Sequence, residues 1–165
     1  INPVFSDNAR RNMKRYKREN LVLYNPRKGL KFTKKLMKKM KEVKWIPLQG
    51  FSREEMSDIM LKAKVYVDFG NHPGKDRIPR EAAISGCCIV TGKDGSAFYQ
   101  KDVNIPEEYK FDKTDDNIPQ IVHTIYRLIN NYDGSIDEFD EYRCQIEHEE
   151  KYFYEQIKSI ARLMS

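Results

Sequence analysis

At 165 residues the chain can bury one real core but is short for two full α/β domains, and with 39% hydrophobic against 33% charged residues it is not a disordered segment. A formal charge of +5, with the excess in the N-terminal half and acids gathered over 137–150, permits an anionic partner without requiring one. Three cysteines, two of them adjacent at Cys87 and Cys88, make neither a disulfide framework nor a CxxC zinc spacing, and no apolar run is long enough to span a bilayer.

Residues 1–19 form a basic N-terminal segment. Asn2-Pro3 and Ser6-Asp7 are turn and capping signals, and Met13 and Tyr16 are spaced for a short helix. The opening Ile1 is expected to mark a piece of a longer protein. Residues 20–112 read as an α/β core. Leu21-Val22-Leu23-Tyr24, bounded by Asn25-Pro26, has the pattern of a strand buried on both faces. Over 30–41, Phe32, Leu36, Met37 and Met40 recur at helical spacing, with lysines filling the other face. Those lysines lack the interleaved arginines and aromatics of a nucleic-acid surface, so no nucleic-acid partner is expected.

A second strand is expected over 43–48, with Pro47 hinting at an edge. Ser52-Arg53-Glu54-Glu55 fits a capping box opening a helix whose buried stripe reads Met56, Ile59, Met60 and Ala63. A strand over 65–69, a polar loop, a helix over 79–85 opened by Pro79 and closed by Gly86, and a strand over 87–90 follow. A short edge strand is expected at 109–111. Residues 113–165 read as C-terminal helices, one over 118–129 with Pro119 in its first turn, then a long charged one whose packing stripe is Phe153, Ile157, Ile160, Ala161 and Met164. Strands alternating with helices imply a Rossmann-like parallel sheet of about five strands with right-handed crossovers.

In such a sheet ligands sit beyond the carboxyl ends of the strands. That rule gathers residues 25–29, 50–52, 68–81 and 91–97 at one rim. Lys28, Lys75, Arg77 and Arg80 and the amides at the start of the 79–85 helix would suit a diphosphate, and Gly29, Gly74, Gly92 and Gly95 would let backbone approach it. Glu81 could accept hydrogen bonds from sugar hydroxyls, or simply favour its own helix N-terminus by about 0.3 to 1 kcal/mol. The Gly70 to Lys75 stretch is one residue short of a P-loop and has Asp76 where a magnesium-binding hydroxyl belongs. GxGxxG, GxSxG and HExxH motifs are missing, which argues against a dinucleotide fold of the usual kind and against hydrolases of those kinds. Of the three histidines only His72 lies in the candidate site; His123 and His148 fall in predicted helices.

GFSREEMSDIMLKAKVYVDFG from Gly50, followed by IPREAAISGCCIVTGKDGSA and preceded by a strand ending in Arg27-Lys28-Gly29, resembles the C-terminal, nucleotide-sugar-binding domain of retaining glycosyltransferases of GT-B architecture. Pro79, Glu81, Ala82 and Gly86 carry the most specific part, and the match covers roughly residues 20–112. The resemblance implies that Lys28, with Arg27, neutralises the donor diphosphate, that Glu81 binds the nucleotide ribose, and that Gly95-Ser96-Ala97 brings backbone amides to the phosphates. Such enzymes usually need no bound metal or cofactor; the substrate is a nucleotide-diphosphate sugar such as a UDP- or GDP-sugar. The resemblance further implies a saccharide or lipid-linked acceptor, a role in cell-surface polysaccharide or glycoconjugate assembly, and a cytoplasmic enzyme peripheral at the inner face of the membrane.

Three departures accompany it. The family's first glutamate falls on Pro73, leaving His72, Asn71 or Asp76 to meet the donor sugar; one strand and helix after the Lys-Gly segment are missing; and the N-terminal acceptor-binding domain is absent from the chain. A rival reading takes the chain as a non-catalytic regulatory or interaction domain with Asp68 as a receiver-like phosphoacceptor, although Asn25 and Arg27 stand where an acidic pair would be needed.

Overall fold

The computed structural model describes residues 1–12, 15–71, 74 and 76–163, the side chains at 150, 154, 156 and 158–163 excepted. Five strands, β1 (Glu19–Tyr24), β2 (Lys44–Pro47), β3 (Ala63–Asp68), β4 (Cys88–Gly92) and β5 (Lys110–Phe111), form one parallel sheet in the order β2-β1-β3-β4-β5. Leu21, Val22 and Leu23 in β1 and Val65, Tyr66 and Val67 in β3 are buried throughout, as central strands covered on both faces require. Pro47, which has no N–H to donate to a ladder, ends the edge strand β2.

The chain steps outward from β1 to β2, then crosses back over β1 to β3 and on to β4. Right-handed crossovers therefore put α2 (Leu30–Lys39) on one face and α3 (Arg53–Lys62) and α4 (Arg77–Ile84) on the other. α5 (Ile118–Asn130) joins α2 on the first face. α1 (Pro3–Asn12) and α7 (Asp140–Leu163) pack on the second, against α3 and α4. A short α6 (Tyr132–Ser135) and a 3-10 turn (Ile136–Phe139) link α5 to α7. Among the described residues no helix is long and apolar enough to cross a membrane.

Local chemistry explains where the helices begin and end. At α3 both bonds of the capping box form: the Glu55 amide donates to Ser52 Oγ at 3.2 Å and the Ser52 amide to Glu55 Oε2 at 2.8 Å. α4 opens at Arg77, two residues before Pro79, so the proline sits in the first turn, where its missing N–H costs nothing. It closes in a Schellman motif: Gly86 has φ +86°, its amide donates to Ala83 O, and the Cys87 amide donates to Ala82 O.

Three expectations change. The N-terminal helix ends at Asn12, ahead of Tyr16, and it belongs to the core: Phe5, Ser6 and Ala9 are buried, and Asn8 Nδ2 donates to Ser57 Oγ and Asp58 Oδ1 at 2.9 and 3.0 Å. Tyr16 lies past the helix and donates to Asp58; Met13 is outside the described residues. With α1 laid over it, α3 buries Ser57, Met60 and Leu61, while Met56 and Ile59 are only half-buried and Ala63 already belongs to β3. In α7 the packing residues are at the start, Tyr142 and Ile146, with Phe139 just before; Phe153 and Ile157 are exposed. The side chains of Ile160 and Ala161, and Met164, lie outside the described residues.

Candidate functional site

The switch in chain direction leaves a crevice between the carboxyl ends of β1 and β3, the place where open α/β sheets bind ligands. After β1, Asn25 Oδ1 accepts the Arg27 amide at 3.0 Å and Asn25 O accepts the Lys28 amide at 3.3 Å, which turns the chain sharply into α2. The turn ends at Gly29 with φ +63°; a Cβ there would stand 2.3 Å from the carbonyl carbon and oxygen of Phe69. On the other side, a Cβ at Gly70 would stand 2.4 Å from Lys28 Cβ and 3.2 Å from its Cδ. Two glycines thus let the loops after β1 and β3 interlock, and they lay the Lys28 stem across Gly70. Its Nζ donates to Asp76 Oδ2 at 2.6 Å, at the N-cap of α4. Asp68 stiffens the β3 loop from within: its Oδ1 accepts the Gly70 amide at 2.9 Å and its Oδ2 the Tyr66 hydroxyl at 2.7 Å.

The loop after β4 completes the rim. Gly95 has φ +63°, Ser96 Oγ donates to Gly74 O at 2.6 Å, and Ala97 is buried beneath them. Lys28, Gly29, Gly95, Ser96 and Ala97 are therefore gathered with the start of α4, and Arg27 and Asn71 are exposed at the same edge. Lys113 was missed in the sequence: its Nζ donates to Phe69 O at 3.1 Å and pairs with Asp94, tying the ends of β3 and β4. Its one available signal is position, since a residue just after β5 also falls at the carboxyl edge. Beside it, Gly29, Lys31, Phe32, Lys35, Phe69 and Lys113 line a cleft of about 290 Å³.

Two expected rim residues stand elsewhere. Arg80 faces away, its guanidinium 2.8 Å from Glu149 on α7, because the fourth residue of α4 points along the packed side of that helix. Glu81, expected at a solvent-facing rim, is 1% exposed. Its Oε1 lies 3.3 Å from Arg77 Nε and accepts the Asn2 amide at 3.5 Å, so the start of α1 covers it. Arg77 itself is exposed at the opening of α4. His72, Pro73 and Lys75 lie outside the described residues.

Burial raises the Glu81 carboxyl above its ordinary 4.5, with the Arg77 cation and the Asn2 amide opposing the rise. A carboxyl raised on folding binds its proton more tightly in the native state. Its contribution to stability is thus full below the unfolded value and lost as pH rises through the folded one. Glu81→Gln is accordingly expected to gain stability relative to the parent as pH rises from 4.5 toward neutrality in urea titrations. A constant difference across that range would show that Glu81 titrates normally.

Among the described residues, no group of three or more His, Cys, Asp or Glu is arranged to hold a metal ion. At this crevice tight glycine turns hold Lys28 against Asp76, while Lys113 stands against Asp94 and Arg77 against Glu81, so its cations are set among carboxylates.

No family model matches this chain, and no curated protein matches it. Among solved structures it is similar to AviGT4, described as a glycosyltransferase involved in avilamycin A biosynthesis, at 12% sequence identity and a TM-score of 0.43. The similarity covers 82% of this chain and 52% of the AviGT4 chain, so the present chain spans about half the length of that structure.

Proposed function

We propose that this chain is the donor-binding half of a retaining glycosyltransferase of GT-B architecture, taking a nucleotide-diphosphate sugar and acting with an acceptor-binding domain outside the chain. One observation carries the reading: Lys28, held by the interlocked Gly29 and Gly70 turns, reaches the start of α4 at the crevice between β1 and β3. A diphosphate laid there meets the Lys28 ammonium, with Arg27 beside it, and the Gly95-Ser96 backbone across the crevice. As the bond from the anomeric carbon to the phosphate oxygen breaks, its electron pair passes to the nucleoside diphosphate, and a fixed cation stabilises that growing charge more than it stabilises the ground state. Glu81, buried under Asn2, serves in this reading to aim Arg77 at the rim instead of touching the ribose itself. The acceptor is a saccharide or lipid-linked saccharide in surface polysaccharide or glycoconjugate assembly, on the cytoplasmic side of the membrane.

Calorimetric titration with UDP, GDP, ADP and their sugars tests the reading. At least one should bind, and Lys28→Ala should weaken it by about tenfold or more, as expected for a lost charge-assisted contact to phosphate. A folded protein that binds none of them at millimolar concentration would sink it. The receiver-like alternative gains nothing from the geometry, because Asp68 is 2% exposed and both its oxygens accept bonds from Tyr66 and Gly70.

A further inference from the structure

The arginines at 10, 11 and 15 have no part in the crevice, and the fold turns them to another place. α1 and α7 both pack against α4 and leave a groove of about 430 Å³ over Ile84, at the foot of that helix. Residues 140, 143, 144 and 147 share one face of α7, since steps of three and four return to the same side of a helix. Arg10 and Arg11 from α1, Arg15 from the turn beyond it and Arg143 from α7 line the groove against two carboxylates, Asp140 and Glu147. The lining is thus net positive, by about the charge that a phosphate monoester carries as a dianion.

These cations are not equally occupied. Arg10 stands 3.8 Å from Asp7 with both side chains exposed, and such a pair is weak. Arg11 and Arg15 are exposed, and neither guanidinium has a partner among the described residues. Arg143 is the withdrawn one: its side chain is 13% exposed, its Nη2 donates to Ile136 O at 3.1 Å and to Asp140, and its Nη1 is buried without a partner. A guanidinium keeps its charge, so a buried N–H without an acceptor calls for an oxygen that the chain itself does not supply. We propose that this groove binds a phosphate monoester, as a second anion site set apart from the crevice by the length of α4. Arg11 and Arg15 at the mouth draw in the dianion, and Arg143, turning about the end of its stem, gives Nη1 to a phosphate oxygen. Planar guanidinium forks suit phosphate oxygens in pairs. Glu147, one turn beyond Arg143 on α7, accepts a hydroxyl of the group that carries the phosphate. A free polyol phosphate and a phosphatidic acid headgroup offer this same chemistry, and neither depends on nucleotide-sugar binding.

Calorimetric titration of the chain with glycerol 3-phosphate at low ionic strength tests the site, together with flotation on phosphatidylcholine vesicles with and without phosphatidic acid. Cys144 supplies a local readout: it lines the groove and is exposed, whereas Cys87 and Cys88 are buried, so a thiol reagent reports on the groove. Binding of the free or of the vesicle-borne phosphate, with loss of Cys144 labelling at saturation, supports the proposal and identifies the source. Arg11→Gln combined with Arg15→Gln changes only exposed side chains and should weaken that binding about tenfold or more. Arg143→Gln should weaken it as much, and Lys28→Ala should leave it unchanged. A folded parent that binds neither form overturns the proposal, as does binding that survives the double arginine variant or leaves Cys144 fully reactive. Binding that disappears with Lys28 overturns it too, since the phosphate would then lie in the crevice.

Discussion

Gly29→Ala is expected to lower the free energy of unfolding by about 3 kcal/mol or more, because a left-handed backbone and a backbone clash coincide at one position. The residue has φ +63°, and its new methyl would meet the Phe69 carbonyl at 2.3 Å and the Gly70 nitrogen at 2.7 Å. Neither contact is with a flexible side chain, so relief requires moving the end of β3 away from the end of β1. Gly50→Ala supplies the control: φ there is +80°, but nothing stands within 4 Å of the added carbon. That variant should lose only the cost of the backbone conformation, about 1 to 2 kcal/mol. Urea unfolding followed by circular dichroism measures both, and equal losses at the two positions would disprove the interlock. The consequence for the site is direct, since parting the two loops also removes the surface on which the Lys28 stem lies.

Much of this architecture is written in local sequence patterns. The run Leu21-Val22-Leu23 has the pattern of a strand covered on both faces and forms one, the Ser52 capping box forms with both of its bonds, and Pro47 marks an edge strand. At the rim, Lys28, Gly29 and Ser96 are found together because strand ends fix where loops gather, whatever the loops contain. What could not be read depends on contacts between distant segments. The Asn2 amide covers Glu81 across 79 positions, and Arg80 finds Glu149 across 69. No periodicity within α4 tells which of its polar residues will be roofed over by α1 and which will meet α7. The buried stripe of α3 shifted for the same reason: a helix packed on the sheet and on a second helix buries a wider arc than spacing suggests, which is how Ser57 comes to be fully enclosed. Position 70 shows the converse. Its glycine looks like an ordinary turn residue in sequence, and only the Lys28 stem lying against it gives it a role.

The second large effect is expected at the opposite edge of the sheet. Arg18 follows α1, and its guanidinium donates to Met60 O at 3.1 Å, Ala63 O at 2.9 Å and Ser85 O at 2.7 Å, closing the ends of α3 and α4 together. Carbonyls at helix C-termini have no partner within the helix and carry partial negative charge, so one planar cation satisfies both needs. It also lies 5.4 Å from the Tyr132 ring centroid, while the Tyr132 hydroxyl donates to Gly86 O at 2.7 Å. Arg18→Met keeps the stem and removes all three bonds, and should cost about 2 to 4 kcal/mol in urea unfolding. Arg18→Lys should recover less than half, because a compact ammonium cannot span acceptors on two helices. A methionine variant within ~0.5 kcal/mol of the parent would mean that water satisfies these carbonyls as well as the guanidinium does. The bond matters to the site because α4 is only eight residues, ~12 Å of helix, between Ser85 at its foot and Asp76 at its head. A slip at the Arg18 end is carried along that short rod to the Asp76 carboxylate, and so to Lys28 at the mouth of the crevice.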